Sequence, residues 1–309
     1  MNTHSYNKPG PVGGQLIRDV VKFLRSHGLK LPIQSPVLIA VSGGSDSVAL
    51  ALLLAKYGRR VVSKEQVQLL HINHGWRGKA SDGDAVFVQK LGKGLKIPVS
   101  VIRAKKKMPA QGESWEEDAR QTRKEAFTKV AQKIGQKVGK NAVVLTAHQA
   151  DDLAETVLWR LLTGAADTHR GGILVQHKNE IRPLLQTRKA NLQDFLREEG
   201  QSWREDQTNH QGRFLRSKLR LELFPVLEKL FPQTVSHLCD WALQAQKGKP
   251  TEKTTDSDGL ESVWSALELK IRRPQWLALR DKASRAGWTG EIQLSQGWKL
   301  VKSKIDAKT

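Results

Sequence analysis

Apolar positions along this chain alternate between short continuous runs and helically spaced stripes. The run Pro36-Val37-Leu38-Ile39-Ala40-Val41 is rich in β-branched residues. It predicts a strand buried on both faces, as in a parallel sheet. A Ser/Gly/Asp loop follows, and Val48 to Tyr57 predicts a buried helix. The alternation repeats, with strands expected at Val67–Asn73, Pro98–Ala104 and Ala142–Thr146 and helices at Asp82–Leu95, Trp115–Gly135 and Asp151–Leu162. Upstream, Leu16, Ile17, Val20, Val21 and Leu24 mark a helix over Gln15–His27, stopped by Gly28. Residues 1–14, rich in Gly, Pro and Asn, read as a mobile tail. Strands alternating with helices predict an α/β fold built on a doubly wound parallel sheet. Ligands on such sheets bind at the carboxyl ends of the strands. The loops after Val41, Ile72, Ala104 and Thr146 should therefore line one crevice.

From about Arg188 the character changes. Lys189–Gly200, Phe214–Leu230 and Thr234–Gln246 read as helices with no convincing strand between them. The expected organisation is an N-terminal tail and helix over 1–34, a nucleotide-binding α/β domain over 35–186 and a smaller helical domain over 187–247. A linker of polar and Gly/Pro composition covers 248–259, and a basic, Trp-containing segment of unassigned fold covers 260–309.

Composition narrows the class. Of 309 residues 39% are hydrophobic, enough for a sizeable core, and the longest apolar run, Val48 to Ala55, is too short to span a membrane. The N-terminus has neither the apolar core of a secretory signal nor the Arg richness of a transit peptide, so a cytoplasmic protein is expected. Lys plus Arg number 51 against 31 Asp plus Glu, a net charge of +20 that favours polyanions such as nucleic acid. Cys239 is the single cysteine, which leaves no intrachain disulfide and no cysteine metal cluster in this sequence.

The sharpest local signal is Ser42-Gly43-Gly44-Ser45-Asp46-Ser47 between the first strand and its helix. A phosphate cradle needs backbone N–H groups free to face an anion, and the following helix adds its positive end. The loop lacks the Gly-x-x-x-x-Gly-Lys-Ser/Thr pattern of a Walker A motif and contains no lysine. Asp46 beside phosphates makes sense where Mg²⁺ bridges the two. The hexapeptide resembles the loop of the N-type ATP pyrophosphatases. Those enzymes cleave ATP between the α and β phosphates and adenylate a substrate oxygen.

Further motifs follow the strand ends. They are His71-Ile72-Asn73-His74-Gly75-Trp76-Arg77-Gly78 with Ser81 and Asp84; Glu113-Ser114-Trp115-Glu116-Glu117-Asp118-Ala119-Arg120 with Arg123; Thr146-Ala147-His148-Gln149-Ala150-Asp151-Asp152-Leu153-Ala154-Glu155; and Asp206-Gln207-Thr208-Asn209 with Phe214, Arg216, Arg220 and Pro225. In order and spacing the set resembles the tRNA(Ile)-lysidine synthetase family over about residues 36–230. The resemblance implies adenylation of the C2 oxygen of the cytidine at the first position of a CAU anticodon in isoleucine tRNA. The ε-amine of free lysine then displaces AMP. It implies ATP as co-substrate with Mg²⁺ at Asp46, and Ser42 to Ser47, His71, His74, Arg77 and His148 beside the nucleotide. It further implies catalytic parts for Asp46, Arg120, Asp152 and Glu155. Asp151, Asp152, Glu155 and Arg220 would meet lysine or cytidine, and Arg216 and Arg220 the tRNA. The family often forms dimers, so a homodimer is expected. Ser217, Gln149 and Thr163-Gly164-Ala165-Ala166 depart from the family's usual Asn, second His and Arg-Gly-Ser-Gly.

The residue chemistry agrees. Asp152 and Glu155 are three apart and share a helix face; paired carboxylates can hold an ammonium group and take its proton. Helix-start acids are favoured by the dipole alone, but three beside His148 exceed that need. Arg120 and Arg123 offer planar forks of donors on a long helix whose Lys124, Lys129 and Lys133 read as a solvated face. Arg103-Ala104-Lys105-Lys106-Lys107 reads equally as a phosphate contact or a solvated loop. Two enzyme alternatives are weaker. A tRNA thiolase needs a persulfide-carrying cysteine, and Cys239 sits alone on an apolar helix face. An ammonia-using synthetase of a small metabolite leaves +20 unexplained. A nucleic-acid-binding protein with a vestigial ATP site conflicts with the intact loop and carboxylate cluster.

Overall fold

A computed structural model describes residues 10–75, 78–104, 115–164, 172–204 and 215–247 and two later strands, with the backbone alone at 64, 115–120, 137, 215–216, 247 and those strands. The chain divides into two compact units, residues 1–248 and 249–309.

The first unit is built on a six-stranded sheet. Its strands are β1 (Val37–Ala40), β2 (Val67–Asn73), β3 (Val99–Arg103), β4 (Val143–Leu145), β5 (Gln176–His177) and β6 (Glu180–Ile181), in the order β3-β2-β1-β4-β6-β5. All neighbours run parallel except β5 and β6. The helices between are α1 (Pro11–Ser26), α2 (Ser45–Tyr57), α3 (Lys79–Leu95), α4 (Trp115–Val138), α5 (Ala150–Leu162) and α6 (Lys189–Glu198). The predicted α/β architecture is thus the observed one.

The continuous apolar runs are explained by burial on both sheet faces. Leu38, Leu70 and Val144 pack with Ala131 and Ala142 in one cluster, against Phe127, Val130 and Ile134 of α4. Their strand neighbours Ile39, Leu69 and Leu145 join the larger core formed with α1, α2, α5 and α6. That is the period-2 alternation of a pleated strand, with apolar residues on both sides. Helix α2 is the innermost: Val48 to Leu54 are each 4% exposed or less.

Two expectations are corrected. Residues 11–14 are not a tail; they are the first turn of α1, entered through Pro11. Gly13 there serves close approach, since a Cβ would lie 2.7 Å from Tyr57 Cε2 and 2.8 Å from Phe195 Cε2. The hairpin β5–β6, unforeseen, extends the sheet beyond β4. Its strands are two residues each, too short to show any period.

Beyond α6 the chain forms α7 (Leu215–Lys218), a π-helical turn over Leu219–Leu223, α8 (Phe224–Leu230) and α9 (Thr234–Lys247). One predicted helix thus carries a local π insertion, a distortion frequent at functional sites. These helices pack on the sheet's own helices within the same unit. Cys239 on α9 donates through Sγ to Ala150 O at 3.2 Å. Gln246 accepts from Val175 N and donates to Ile173 O. In the second unit the described residues form an antiparallel pair, β7 (Gly290–Gln293) and β8 (Lys299–Lys302). The expected linker over 248–259 lies outside the described residues.

Candidate active site

Because β1 and β4 are neighbours, the loops leaving their carboxyl ends lie side by side. The first is the Ser42–Ser47 loop. Gly43 has φ +105°, a conformation L side chains rarely adopt. Ser47 Oγ accepts from Ser42 N at 3.2 Å and donates to Gly44 O at 3.0 Å, and Gly44 N donates to Ser42 Oγ at 3.3 Å. These hydroxyls hold the loop open on the N-terminus of α2, where Gly44 is the cap residue. Ser45 Oγ donates to Asp46 Oδ1 at 3.0 Å.

The second loop starts α5 with Gln149. Its Oε1 accepts from Asp151 N at 2.5 Å, and its own N donates to Asp152 Oδ2 at 3.1 Å. Gln149 therefore performs helix capping. Asp151 is held by the start of α6: Oδ1 accepts from Arg188 Nε at 3.0 Å and Oδ2 from Lys189 N at 2.8 Å. Arg188 also donates to Glu228 Oε1 at 2.8 Å. This carboxylate ties the starts of α5 and α6 to α8.

Glu155, one turn on, is buried and receives Arg220 from the π-helical turn. Nε donates to Oε1 at 2.5 Å and Nη2 to Oε2 at 2.7 Å, with Asp152 Oδ1 3.9 Å from Nη2. The acid's hydrogen bond holds the Arg220 guanidinium more firmly charged than usual, with the charges of Glu155, Asp152 and Asp46 acting the same way against burial.

Burial pushes the Asp46 carboxyl up to about 6; the Lys189 ammonium opposes this, and Asp152 and Asp151 add to it. Burial likewise raises Asp152, against its hydrogen bond from Gln149 N and the charges of Arg220 and Lys189. The two loops thus share one electrostatic site: Asp46 and Asp152, both reluctant to ionise, with Lys189 and Arg220 as their cations.

His71 on β2 is 4% exposed. Its Nδ1 lies 2.8 Å from Val41 O and donates to it, while Nε2 is buried with no hydrogen-bond partner among the described residues. That nitrogen fits a bound polar ligand at the strand end. His74 lies half-buried just past β2. Asn73 organises this turn, donating to Asp82 Oδ1 and accepting from Gly75 N, each at 2.8 Å. His148 Nδ1 lies 3.2 Å from Thr146 Oγ1, which donates to Glu180 Oε1 at 2.9 Å. Glu180 in turn pairs with Arg182 at 2.8 Å. The unforeseen hairpin thereby braces the His148 loop.

Arg77, Lys105 to Lys107, Asp206 to Asn209 and Phe214 lie outside the described residues, as do the side chains of Arg120 and Arg216, whose backbones are helical in α4 and α7. Sequence reasoning missed Arg188, Lys189, Arg204 and Glu228. One signal was available: Arg188 and Lys189 are basic residues at a helix start, with no acid in the first turn of α6. The helix dipole disfavours cations there, so acidic partners from elsewhere were required.

Among the described residues no group of three or more His, Cys, Asp or Glu side chains is arranged to hold a metal. An Mg²⁺ held by one or two carboxylates and substrate phosphates needs no such cage. Asp46 fits that arrangement, since a buried acid pushed towards neutrality gains from a cation. Cys239 is poorly placed for sulfur chemistry: it is 4% exposed, and burial pushes its thiol to about 12.

Comparison with known proteins follows this geometry. A family model described as the PP-loop domain matches residues 15–227. A tRNA(Ile)-lysidine synthase of Thermus thermophilus is 39% identical over 226 residues, covering 72% of this chain and 42% of that protein. One from Symbiobacterium thermophilum is 35% identical over 225 residues, covering 71% and 45%. One from Rhodopirellula baltica is 34% identical over 318 residues, covering 87% and 79%. The chain thus spans less than half the length of the first two relatives and most of the third. A U34-tRNA thiolase, NcsA from Methanococcus maripaludis, solved with its 4Fe-4S cluster, superposes with a TM-score of 0.60 at 18% identity, covering 78% of this chain and 82% of that one; the likeness is one of fold. No helix among the described residues is long and apolar enough to cross a membrane. With the PP-loop match over most of its length and relatives at this identity, the chain belongs to the tRNA(Ile)-lysidine synthase family of PP-loop proteins.

Proposed function

We propose that this chain ligates lysine to C2 of the cytidine at the first anticodon position of a CAU-anticodon isoleucine tRNA, in the cytoplasm, through an adenylated cytidine. The observation that carries this reading is the shared site of the Ser42–Ser47 loop and the α5 carboxylates. ATP lies with its phosphates on the loop's N–H groups and the N-terminus of α2. The cytidine O2 attacks the α-phosphate, and pyrophosphate leaves. The lysine ε-amine then attacks C2, and AMP leaves with the bond electrons.

The chain's residues divide these tasks. Asp46 faces the phosphates, and Mg²⁺ bound there supplies charge neutralisation. His71 Nε2, His74, Arg77 and His148 line the nucleotide. Glu155 receives the lysine ammonium once Arg220 has turned towards the cytidine. Asp152, raised by burial and therefore the better base near neutral pH, takes the amine's proton. Asp151 holds α6 beside them. Arg120, with Arg123 beside it, stabilises charge on the activated base, and Arg216 meets the tRNA backbone. Residues 187–247 form the tRNA-facing part, and net +20 supplies the long-range attraction.

The test is incubation with ATP, Mg²⁺, labelled lysine and either isoleucine CAU-anticodon tRNA or elongator methionine tRNA. Label should enter the first alone. Label in neither overturns the reading, and label in both overturns the discrimination.

A further inference from the structure

Asp84 and Arg204 have no part in the chemistry above, yet Arg204 touches the phosphate loop twice. Its main-chain N–H donates to Gly43 O at 2.9 Å. Its side chain runs across the same glycine: a Cβ placed on Gly43 would lie 3.5 Å from Arg204 Cγ and 3.7 Å from Phe87 Cδ1 of α3. The guanidinium is anchored on α3, where Nε donates to the Asp84 carboxylate at 3.0 Å. Asp84 is itself buried, at 7% exposure.

The contact is directional. Across a trans peptide the carbonyl and the following N–H point opposite ways. A Gly43 carbonyl drawn to Arg204 therefore turns the Gly44 N–H towards the loop interior, where Ser42 Oγ accepts it at 3.3 Å. Both residues flanking this peptide, Gly43 and Gly44, are free to rotate, because glycine lacks the Cβ that forbids other conformations. A rotated peptide would present its carbonyl oxygen to the phosphates and repel them. In sequence Arg204 precedes α7 and Arg220.

We propose that Arg204 is a positioning residue, anchored by Asp84, that locks the Gly43–Gly44 peptide with its N–H presented to the triphosphate. This deepens the ATP-dependent reading and rests on it.

The test is MgATP binding to the full chain by calorimetry, beside adenosine binding by competition. Arg204→Ala and Asp84→Asn should each weaken MgATP by about tenfold and leave adenosine within about twofold, as expected for loss of the charge-assisted bond that anchors Arg204 on α3 and so fixes its main-chain N–H against Gly43. Arg204→Lys keeps a cation for Asp84 and should recover most of the loss. Wild-type binding with unchanged MgATP affinity in both variants overturns the proposal, and so does an equal loss of MgATP and adenosine. A wild-type chain that binds no MgATP overturns the functional reading itself, and this inference with it.

Discussion

Arg220 grips Glu155 in a two-pronged ion pair, 2.5 Å and 2.7 Å long, across a buried acid and a π-helical turn. The carboxylate assigned to a substrate ammonium thus already holds a cation from its own chain. The Glu155 side chain is 6% exposed and that of Arg220 42%. Removing the arginine strands a buried charge, which is costlier than removing the pair.

Arg220→Ala should accordingly destabilise the fold by about 2 kcal/mol, below the roughly 3–5 kcal/mol of a fully buried pair because the arginine is partly solvated. Adding Glu155→Gln should restore much of that loss. Urea unfolding of the two variants measures both, and a double variant weaker than Arg220→Ala would contradict this account.

Glu155→Gln alone separates the two chemical steps. Adenylation of the tRNA, read as pyrophosphate release, should persist, while the lysine KM rises by about tenfold, as for a lost charged contact in the substrate complex. Steady-state kinetics at varied lysine check it; an unchanged KM and rate would remove Glu155 from lysine binding.

Asp46 predicts a pH signature. Its folded-state carboxyl sits at about 6, above the unfolded value near 4. The folded chain therefore holds this proton more tightly. The contribution favours folding below about pH 4 and is lost as pH rises through 6. At pH 8 the ionised group costs on the order of 3 kcal/mol. Asp46→Asn should raise the Tm by about 8 °C at pH 8, leave it nearly unchanged at pH 4, and abolish AMP formation. Equal Tm gains at both pH values would refute burial as the cause.

Cys239 should resist iodoacetamide at pH 8 in the folded chain and react fully in guanidinium. Its Sγ is buried, bonded to Ala150 O, and pushed to about 12. Mass spectrometry reads the outcome; rapid native labelling would reopen sulfur-transfer chemistry.

The sheet was legible because its strands announce themselves. Val37 to Ala40 is a short, β-branched run apolar on both faces, which suits a central parallel strand. The start of α1 was hidden because glycine signals freedom in sequence, whereas Gly13 is there for closeness to Tyr57 and Phe195. The site divides the same way. Ser42 to Ser47, Asp152 and Glu155 are local patterns and could be read. The partners of Arg204 and Arg188 could not, since Gly43, Asp84, Asp151 and Glu228 lie far along the chain. Gln149 departs from the family's usual histidine, and only its capping bonds explain its place.

The side-by-side placement of β1 and β4 also has a meaning in time. A chain leaving the ribosome offers its N-terminal elements first. The phosphate loop emerges with β1, but the acids of α5 follow only after three further strands and the helices between them, and Arg204 and Arg220 later still. A nascent or half-unfolded chain thus carries a cradle without its acids or its strap. On the proposed function such a chain would have no means of spending ATP, and competence for adenylation would arrive only when folding is finished.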